Sequence, residues 1–320
     1  MKPQLNLPNH SAMKITNRLG LPSSLVKAVS NDRYSRGDAH ISVTGLIGPA
    51  RKRYLETLHA DEISEDVTER VWALMGQIAH GILERADDTA WCEERLFIER
   101  YGWRISGQFD RYLLEADGLC QDYKMTSTYA IRDGVKPEWE AQENIYALML
   151  REHGYHVARL EIVAILRDWQ KAKAKHTEDY PQVPALIIPV RLWSRQEIED
   201  YIKIRLNAHS KAHKVLPECT AEERWERPAV YALHKVGNKR ASKLFDTEAE
   251  AAAALEAIGT GYEIQQRPAE QKRCQDYCSA LPFCTQGQQL IHQSEEYRLQ
   301  QMWSVNAPRV HAAKETVNAA

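Results

Sequence analysis

The sequence predicts an α/β protein in which helices flank a mixed sheet. Residues 65–86 carry apolar side chains at helical spacing, which indicates a long amphipathic helix. Three strand-like runs follow it, over 92–100, 103–115 and 118–127. A second helical run over 138–154 ends at a glycine, and another strand covers 156–169. Helix, three strands, helix and strand in this order favour a sheet with helices packed against it.

The individual elements have local signals. Asp117-Gly118 separates the last two strands of the trio and predicts a tight hairpin turn. Residues 41–59 predict a short helix followed by a basic turn, and 170–184 predict a polar loop. A strand over 185–193 and a helix over 194–214 complete this part of the chain.

The chain divides into four predicted parts. A hairpin around Gly237-Asn238, an alanine-rich helix and a third strand form a small α+β insert within residues 225–267. The predicted parts are an N-terminal arm (1–38), the α/β core (39–218), the insert with a cysteine cluster (219–292) and a polar C-terminal tail (293–320).

Composition excludes several classes of protein. The 320 residues carry a formal net charge of -2, so the chain is not a general polycation, and any nucleic-acid site must have a local positive potential. No apolar run approaches the length of a membrane span, and the N-terminus has no apolar signal segment. We therefore expect a cytoplasmic protein with no membrane partner.

Charged residues on two neighbouring strands form a candidate site. Asp110 ends the segment GQFD, while Asp122 and Lys124 flank Tyr123 on the strand after the hairpin turn. Strand side chains alternate between faces, so Asp122 and Lys124 point one way and Tyr123 points the other way, into the core. Antiparallel pairing can bring both carboxylates to one side of the sheet, where they suit a divalent cation such as Mg²⁺. The alternative interpretation is a solvated surface ion pair.

Four segments together resemble one known family, the RecB-like branch of the PD-(D/E)XK nucleases. They are GQIAHGILE (76–84), GQFD (107–110), DYK (122–124) and QENIY (142–146), and they occur here in the family's order. The family has a mixed sheet flanked by helices, in agreement with the order of elements above. The whole-chain arrangement is also similar to that of stand-alone exonucleases encoded by bacteriophages.

The resemblance implies a site for hydrolysis of DNA phosphodiester bonds with Mg²⁺ or Mn²⁺. It makes Lys124 the catalytic base or a charge stabiliser, and Gln142 and Tyr146 residues that position the DNA or the lysine. Glu94, on the strand before Asp110, is a further candidate. The implied metal ligands are the side chains of His80, Asp110 and Asp122 and the carbonyl oxygen of Tyr123.

A second metal site is predicted from the cysteines. Cys274, Cys278 and Cys284 are closely spaced, and either Cys219 or His292 can complete a set of four ligands. In the nuclease domains of AddB-type proteins a similar trio holds a [4Fe-4S] cluster, although there the fourth cysteine precedes the histidine helix. Thiolate sites suit structural Zn²⁺ as well, so both metals remain open. The remaining cysteines, Cys92 and Cys120, are interpreted as small buried apolar residues.

Candidate DNA contacts lie outside these two sites. Basic residues expected to neutralise phosphates are Arg51, Arg53, Lys171, Lys173, Lys239 and Arg240. Thr126 and Ser127 can donate hydrogen bonds to phosphates. Aromatic residues that can stack on unpaired bases are Trp103, Trp139, Trp169 and Tyr129. No element resembles a reader of base sequence, so we expect non-specific binding.

The predicted function is that of a metal-dependent DNA exonuclease serving DNA recombination, replication or degradation. A structure- or strand-specific endonuclease could use the same residues, and a DNA-binding adaptor could retain the fold without chemistry. A homo-oligomer and a recombination partner are both compatible with the sequence.

Overall fold

A computed structural model describes residues 14–31, 36–86, 89–115, 117–238 and 240–306. The chain forms two compact units, Met1–Glu218 (unit 1) and Cys219–Ala320 (unit 2). Within the described ranges, no helix is both long enough and apolar enough to cross a membrane.

Unit 1 contains a mixture of helices and short strands. Its strands are β1 (Lys14–Thr16), β2 (Ile41–Ser42), β3 (Ser64–Asp66), β4 (Trp91–Cys92), β5 (Arg95–Arg100), β6 (Trp103–Gln108), β7 (Arg111–Leu113), β8 (Leu119–Thr126), β9 (Arg159–Leu166) and β10 (Ala185–Val190). Its helices are α1 (Ser23–Ser30), α2 (Val43–Ile47), α3 (Ala50–Leu58), α4 (Val71–Ala86), α5 (Pro137–Glu152), α6 (Lys171–His176) and α7 (Arg195–Lys211).

Two sheets of unit 1 meet at one point of the chain. One sheet has the strand order β10-β9-β8-β7-β4, and only β8 and β9 in it are parallel, joined through α5. The other has the order β2-β6-β5. Strand β7 follows β6 directly along the chain, and Phe109 and Asp110 are the two residues between them. Asp110 therefore lies at the seam between the two sheets.

Helix α5 forms the centre of the unit 1 core. Its residues from Ala141 to Leu150 are all buried, including Ile145 and Leu150, which are fully buried. Burying each such aliphatic side chain contributes about 1.5–3 kcal/mol. The helix approaches β6 closely because Gly107 has no side chain: a Cβ there would lie 2.5 Å from Met149 Sδ and 2.9 Å from Tyr146 Cε1. Gly107 therefore lets α5 pack directly over the candidate site.

The mixed α/β class and the order of its elements agree with the sequence prediction. The hairpin between β7 and β8 is confirmed, with Asp117 and Gly118 at φ values of 59° and 65°. Because Leu113 pairs with Leu119, the connection is longer than a two-residue type I′ turn.

Other parts of unit 1 differ from the prediction. The described residues of the predicted arm form β1 and α1, and β1 pairs in parallel with β3. The basic turn lies within helix α3, and the predicted polar loop contains α6. The predicted amphipathic helix is α4, yet none of its side chains is fully buried. Local hydrophobic spacing identifies a helix but does not determine how much of it the rest of the fold covers.

Unit 2 is a small α+β unit. Its elements are β11 (Glu226–Arg227), β12 (Val230–Lys235), β13 (Lys243–Phe245), α8 (Glu248–Ile258), β14 (Tyr262–Arg267), β15 (Glu270–Gln271), α9 (Lys272–Asp276) and α10 (Thr285–Asn306). The hairpin, helix and third strand predicted from sequence are present, as the antiparallel sheet β13-β12-β14 with α8. The predicted tail is helical through Asn306, and residues 307–320 lie outside the described ranges.

Candidate active site

The seam between the two sheets places two carboxylates side by side. Strand β4 pairs with β7 while β5 pairs with β6, so the residues between β4 and β5 lie opposite the break at Asp110. Glu93 occupies this position with a φ of 52°, and its N–H donates to the Asp110 carbonyl at 3.2 Å. A positive φ is uncommon in residues other than glycine and occurs often at functional sites.

His80 of α4 completes a cluster with these two carboxylates. Its Nδ1 lies 3.2 Å from Glu93 Oε1 and 3.3 Å from Asp110 Oδ1. The other oxygen of each carboxylate accepts a hydrogen bond, Glu93 Oε2 from Gln108 Nε2 at 2.7 Å and Asp110 Oδ2 from the Tyr123 N–H at 2.6 Å. One oxygen of each group is thus held by the protein while the other faces His80. Such supporting hydrogen bonds are typical of metal ligands.

The cluster has the dimensions of a divalent-cation site. One ligand atom from each of His80, Glu93 and Asp110 lies within 4.8 Å of the others. Adjacent ligands of an octahedral ion with bonds of about 2.1 Å are roughly 3.0 Å apart, close to the two distances from His80. Without an ion, hydrogen bonds to Asp110 and then Glu93 raise the pKa of His80 to about 10. The protonated ring then offsets the charge of the two carboxylates.

A second group of polar side chains lies where β8 faces α5. Asp122 Oδ2 is 2.6 Å from Lys124 Nζ, and Asp122 Oδ1 accepts from Gln142 Nε2 at 2.8 Å. Gln142 also accepts from Lys124 Nζ at 3.3 Å and donates to the Tyr146 hydroxyl at 3.2 Å. Gln142 and Tyr146 are one helical turn apart, so both can face the same strand. Gln142 therefore fixes the acid and the lysine relative to each other.

The electrostatics of this group favour a charged lysine. Burial, followed by the charge of Asp110, raises the pKa of Asp122 to about 7. For Lys124 burial lowers the pKa, but the nearby charges of Asp122 and Asp110 outweigh it, so the net shift is upward. Without a metal ion, Lys124 is therefore an ammonium group suited to stabilising negative charge.

The sequence-predicted ligands are only partly brought together. His80 and Asp110 share the cluster, whereas Asp122 lies outside its 4.8 Å limit, on the face of β8 toward α5. Glu94 is exposed, and the preceding residue, Glu93, supplies the clustered carboxylate. Nothing in the neighbouring residues singles out Glu93, because the left-handed turn at this residue has no local sequence signature.

The prediction that the Tyr123 side chain points into the core was wrong. Its side chain is half-buried, and its ring lies edge-on to His80 with 6.3 Å between centroids. On this face of β8 the neighbouring helix is α4, whose own side chains are not fully buried, so the cover over Tyr123 is incomplete.

Sequence reasoning missed one buried acid near the site. Glu143 is fully buried, and within the described part of the chain neither of its oxygens has a hydrogen-bond partner that meets normal geometry. Burial, and then the charge of Asp122, raises its pKa well above the usual range. Cys120 is fully buried too, and the charge of Glu143 adds to the effect of burial in raising its pKa. Glu143 is therefore a neutral carboxyl group close to Asp122. In the sequence, its position next to Gln142 is the one signal that points to it.

The predicted DNA contacts differ in accessibility. Arg51 is only 6% exposed and donates to the Pro217 carbonyl at 3.3 Å. Arg53 donates to the His40 carbonyl at 3.2 Å, and burial, followed by Arg36, lowers its pKa to about 10. These two arginines stabilise the fold around α3 instead of forming an open phosphate site, which corrects the prediction.

The remaining candidates retain access to solvent where they are described. Thr126 and Ser127 are partly buried at the end of β8. Exposed basic residues are Lys171, Lys173 and Arg240, while Lys239 lies outside the described residues.

The aromatic candidates separate in the same way. Trp103 and Trp139 are buried in the core at 5% and 8% exposure, so they cannot stack on bases. Trp169 is partly buried, and its Nε1 donates to the Pro181 carbonyl at 2.7 Å. Tyr129 is 49% exposed, with Arg132 lying 5.0 Å from the centre of its ring.

The four cysteines of unit 2 are gathered around the start of α10. The side-chain amide of Gln286 bonds both the N–H and the carbonyl of Cys219, at 2.8 and 2.9 Å. The Gly287 N–H donates to Cys284 Sγ at 3.4 Å, and a Cβ on Gly287 would lie 3.8 Å from Cys274 Cβ. Burial, then Glu223, then the other three thiols of the set raise the pKa of Cys219 to about 12. His292 lies outside this arrangement: its side chain is 70% exposed and pairs with Glu296 at 3.5 Å.

The positions of these sulfurs can be compared with those of a zinc site. A single tetrahedral Zn²⁺ with bonds of about 2.3 Å requires sulfurs roughly 3.8 Å apart. Among the described residues, no three of the cysteine sulfurs lie within 4.8 Å of one another. As they stand, the sulfurs are therefore further apart than a single tetrahedral Zn²⁺ requires.

Comparisons with known proteins give only distant likenesses. No family model and no curated protein matches the sequence. Similar solved structures include SSO0001, with a TM-score of 0.40 and 18% identity, covering 59% of this chain and 86% of that one. Another, named "Putative exonuclease" and from Eubacterium rectale, has a TM-score of 0.30 and 12% identity, covering 59% of this chain and 73% of that one. At these values neither likeness carries an argument, so the functional assignment depends on the geometry of the site.

Proposed function

We propose that this chain is a metal-dependent DNA nuclease of the RecB-like PD-(D/E)XK type that hydrolyses phosphodiester bonds, acting as an exonuclease on DNA ends. The observation that carries the proposal is the cluster of His80, Glu93 and Asp110 at the sheet seam, adjacent to the strand that bears Asp122 and Lys124. A cation site beside a buried acid and a lysine is the arrangement that phosphodiester hydrolysis needs.

The clustered groups would hold Mg²⁺ or Mn²⁺. His80, Glu93 and Asp110 each offer one ligand atom, and these atoms lie within 4.8 Å of one another. The Tyr123 N–H donates to Asp110, and the N–H and carbonyl of a strand residue leave on the same side, so this carbonyl also faces the cluster. The bound ion would polarise the phosphate and lower the pKa of the attacking water.

The β8 residues supply positioning and charge. Lys124 places an ammonium group beside Asp122, where it can stabilise the charge that develops on the phosphate oxygens. Gln142 holds both groups from α5, and Tyr146 in turn holds Gln142. Fixing these donors before the substrate arrives reduces the reorganisation that the reaction requires.

The test uses end-labelled single- and double-stranded oligonucleotides with Mg²⁺ or Mn²⁺, with products resolved over time. The wild-type protein should cut DNA, and a chelator should stop it. Lys124→Ala should lower the rate by at least about a hundredfold, comparable with the loss of a single charge-stabilising donor. Lys203→Ala changes an exposed lysine on α7 and should cut at the wild-type rate. Wild-type activity in Lys124→Ala would show that the site is assigned wrongly.

A circular single-stranded substrate separates exonuclease from endonuclease activity. A strict exonuclease degrades the linear strand and leaves the circle intact, whereas cutting of both at similar rates identifies an endonuclease. Binding of DNA without metal-dependent release of nucleotides would identify an adaptor.

We also propose that Cys219, Cys274, Cys278 and Cys284 hold a structural [4Fe-4S] cluster. Among the described residues no three of these sulfurs lie within 4.8 Å of one another, which supports a larger cluster over a single zinc ion, and the Gly287 N–H directed at Cys284 Sγ suits a thiolate ligand of either metal. Anaerobically purified protein should be brown and contain iron, and Cys219→Ser should reduce the iron content while Cys92→Ser in unit 1 should not. A colourless wild-type protein that contains zinc would reject the cluster.

A further inference from the structure

A cleft of about 560 Å³ opens in unit 1 just beyond the C-terminal end of β8. One wall is the short 3-10 helix Thr128–Ile131, and the other is the loop that precedes β10. The lining includes Thr128, Tyr129, Arg132, Glu178, Asp179 and Tyr180. This volume is within the range of pockets that bind small organic groups.

Asp168 holds the two walls in fixed positions. Its carboxylate accepts from the Thr128 N–H at 2.7 Å and from the Thr128 hydroxyl at 3.3 Å. Its carbonyl accepts from the Tyr180 hydroxyl at 3.4 Å, and the same hydroxyl accepts from the Gln170 N–H at 2.9 Å. A cleft whose walls are already ordered binds a ligand at a lower entropic cost.

Two aromatic rings of the lining lie next to cations. Arg132 lies 5.0 Å from the centre of the Tyr129 ring, and Lys173 Nζ lies 5.8 Å from the centre of the Tyr180 ring. Single-stranded nucleic acids are bound by this combination, in which bases stack on aromatic rings and phosphates meet basic groups.

The acidic residues of the cleft determine which part of a nucleotide enters it. Glu178 and Asp179 line the cleft and would repel a phosphate there. A nucleobase is neutral, and carboxylates accept hydrogen bonds from the amino groups of bases. The base therefore suits the cleft itself, and its flanking phosphates suit Arg132 and the lysines of α6.

The cleft is close to the candidate active site along the chain. Thr128 follows Lys124 by four residues, and at about 3.3 Å per strand residue their Cα atoms are at most roughly 13 Å apart. We propose that this cleft binds an unpaired nucleobase next to the phosphodiester that is cut, which makes single-stranded DNA the preferred substrate. This inference depends on the proposed nuclease function and goes further by naming the form of DNA. A base can enter such a cleft only when it is free of its partner strand.

The test measures binding of a short single strand that carries a fluorescent adenine analogue (2-aminopurine), with a chelator present to prevent cutting. Stacking in the cleft should quench the fluorescence in the wild-type protein and in Tyr129→Phe, which keeps the ring. Tyr129→Leu should lose the quenching and raise the Kd about tenfold, as expected for one lost base-aromatic stack. Tyr101→Leu removes an exposed tyrosine at the opposite end of β6 from Asp110 and should bind like the wild type.

The outcomes separate this inference from the proposed function. If the wild-type protein cuts DNA but Tyr129→Leu keeps both the quenching and the wild-type Kd, the cleft is not the base site and the nuclease assignment stands. Equal affinity of the wild-type protein for single strands and blunt duplexes would also overturn the inference. If the wild-type protein neither binds nor cuts DNA, the proposed function fails and the inference fails with it.

Discussion

Metal binding to the candidate site should release a proton, and its affinity should therefore depend steeply on pH. In the metal-free protein, hydrogen bonds to Asp110 and Glu93 raise the pKa of His80 to about 10. A metal ion can bind His80 only in its neutral form, so the proton must leave when the ion enters. Below pH 10, the affinity for the metal ion should fall about tenfold for each unit by which the pH is lowered. This corresponds to about 1.4 kcal/mol of binding free energy per unit.

The slope of metal affinity against pH, measured below neutral pH, should reveal whether Asp122 is also a ligand. Burial, and then the charge of Asp110, raises the pKa of Asp122 to about 7, so this group gains a proton as the pH falls through 7. If Asp122 binds the ion, two protons must be displaced in acid, and the affinity should fall nearly a hundredfold between pH 6 and pH 5. If only the His80 cluster binds it, the dependence should stay near tenfold per unit.

Calorimetry with Mn²⁺ in buffers of different ionisation enthalpy measures the released protons directly. We expect about one proton at pH 8, following from the raised pKa of His80. His80→Asn should bind the ion more weakly and release close to none at that pH. His176→Asn, which changes an exposed histidine on α6, should behave like the wild type. A wild-type protein that binds Mn²⁺ at pH 8 without releasing a proton would refute the assignment of His80 as a ligand.

Three further predictions concern packing and the carboxylates. Gly107→Ala places a methyl group against α5 and should lower the free energy of unfolding by about 1–3 kcal/mol. Gly76→Ala places a methyl group in open space on a helix and should raise the free energy of unfolding by about 0.5–1 kcal/mol. Urea titrations in which both variants shift the same way would contradict this account of the packing. Glu93→Gln should weaken Mn²⁺ binding at least tenfold, whereas Glu94→Gln, which changes the exposed neighbouring residue, should bind Mn²⁺ like the wild type. Calorimetry that shows the reverse would make Glu94 the ligand. Glu143→Gln should keep the unfolding free energy within about 1 kcal/mol of the wild-type value and the rate of DNA cutting within about threefold, because burial already keeps this carboxyl group neutral. A large loss of stability or of activity would mean that the group acts as a carboxylate.

Features set by short-range geometry could be predicted from the sequence. The spacing of Gln142 and Tyr146 places them on one face of a helix, and the structure joins them by a hydrogen bond at 3.2 Å. The pair Asp117-Gly118 specifies a turn in which both residues have positive φ. In these cases the residues that determine the conformation are adjacent or one helical turn apart.

Features set by the packing of distant segments could not be predicted. Glu93 joins His80 because the chain turns in a left-handed conformation opposite the break between β6 and β7. Arg51 is basic, yet the carbonyl of Pro217 lies beside it and the fold buries it. Neither the turn nor the burial has a signal in the neighbouring residues, because both depend on segments far away in the sequence.

Strand β8 links the two halves of the candidate site, so its register should decide whether the site exists. Asp122 and Lys124 face α5, while the N–H of the residue between them holds Asp110, which contacts His80. A slip of one residue would turn both charged side chains away from α5 and move this N–H away from Asp110. Gly118 limits such a slip, because a Cβ at this position would lie 2.0 Å from the carbonyl oxygen of His156. Asp122 and Lys124 can therefore act together as proposed only if the turn at Gly118 fixes which face of β8 each residue occupies.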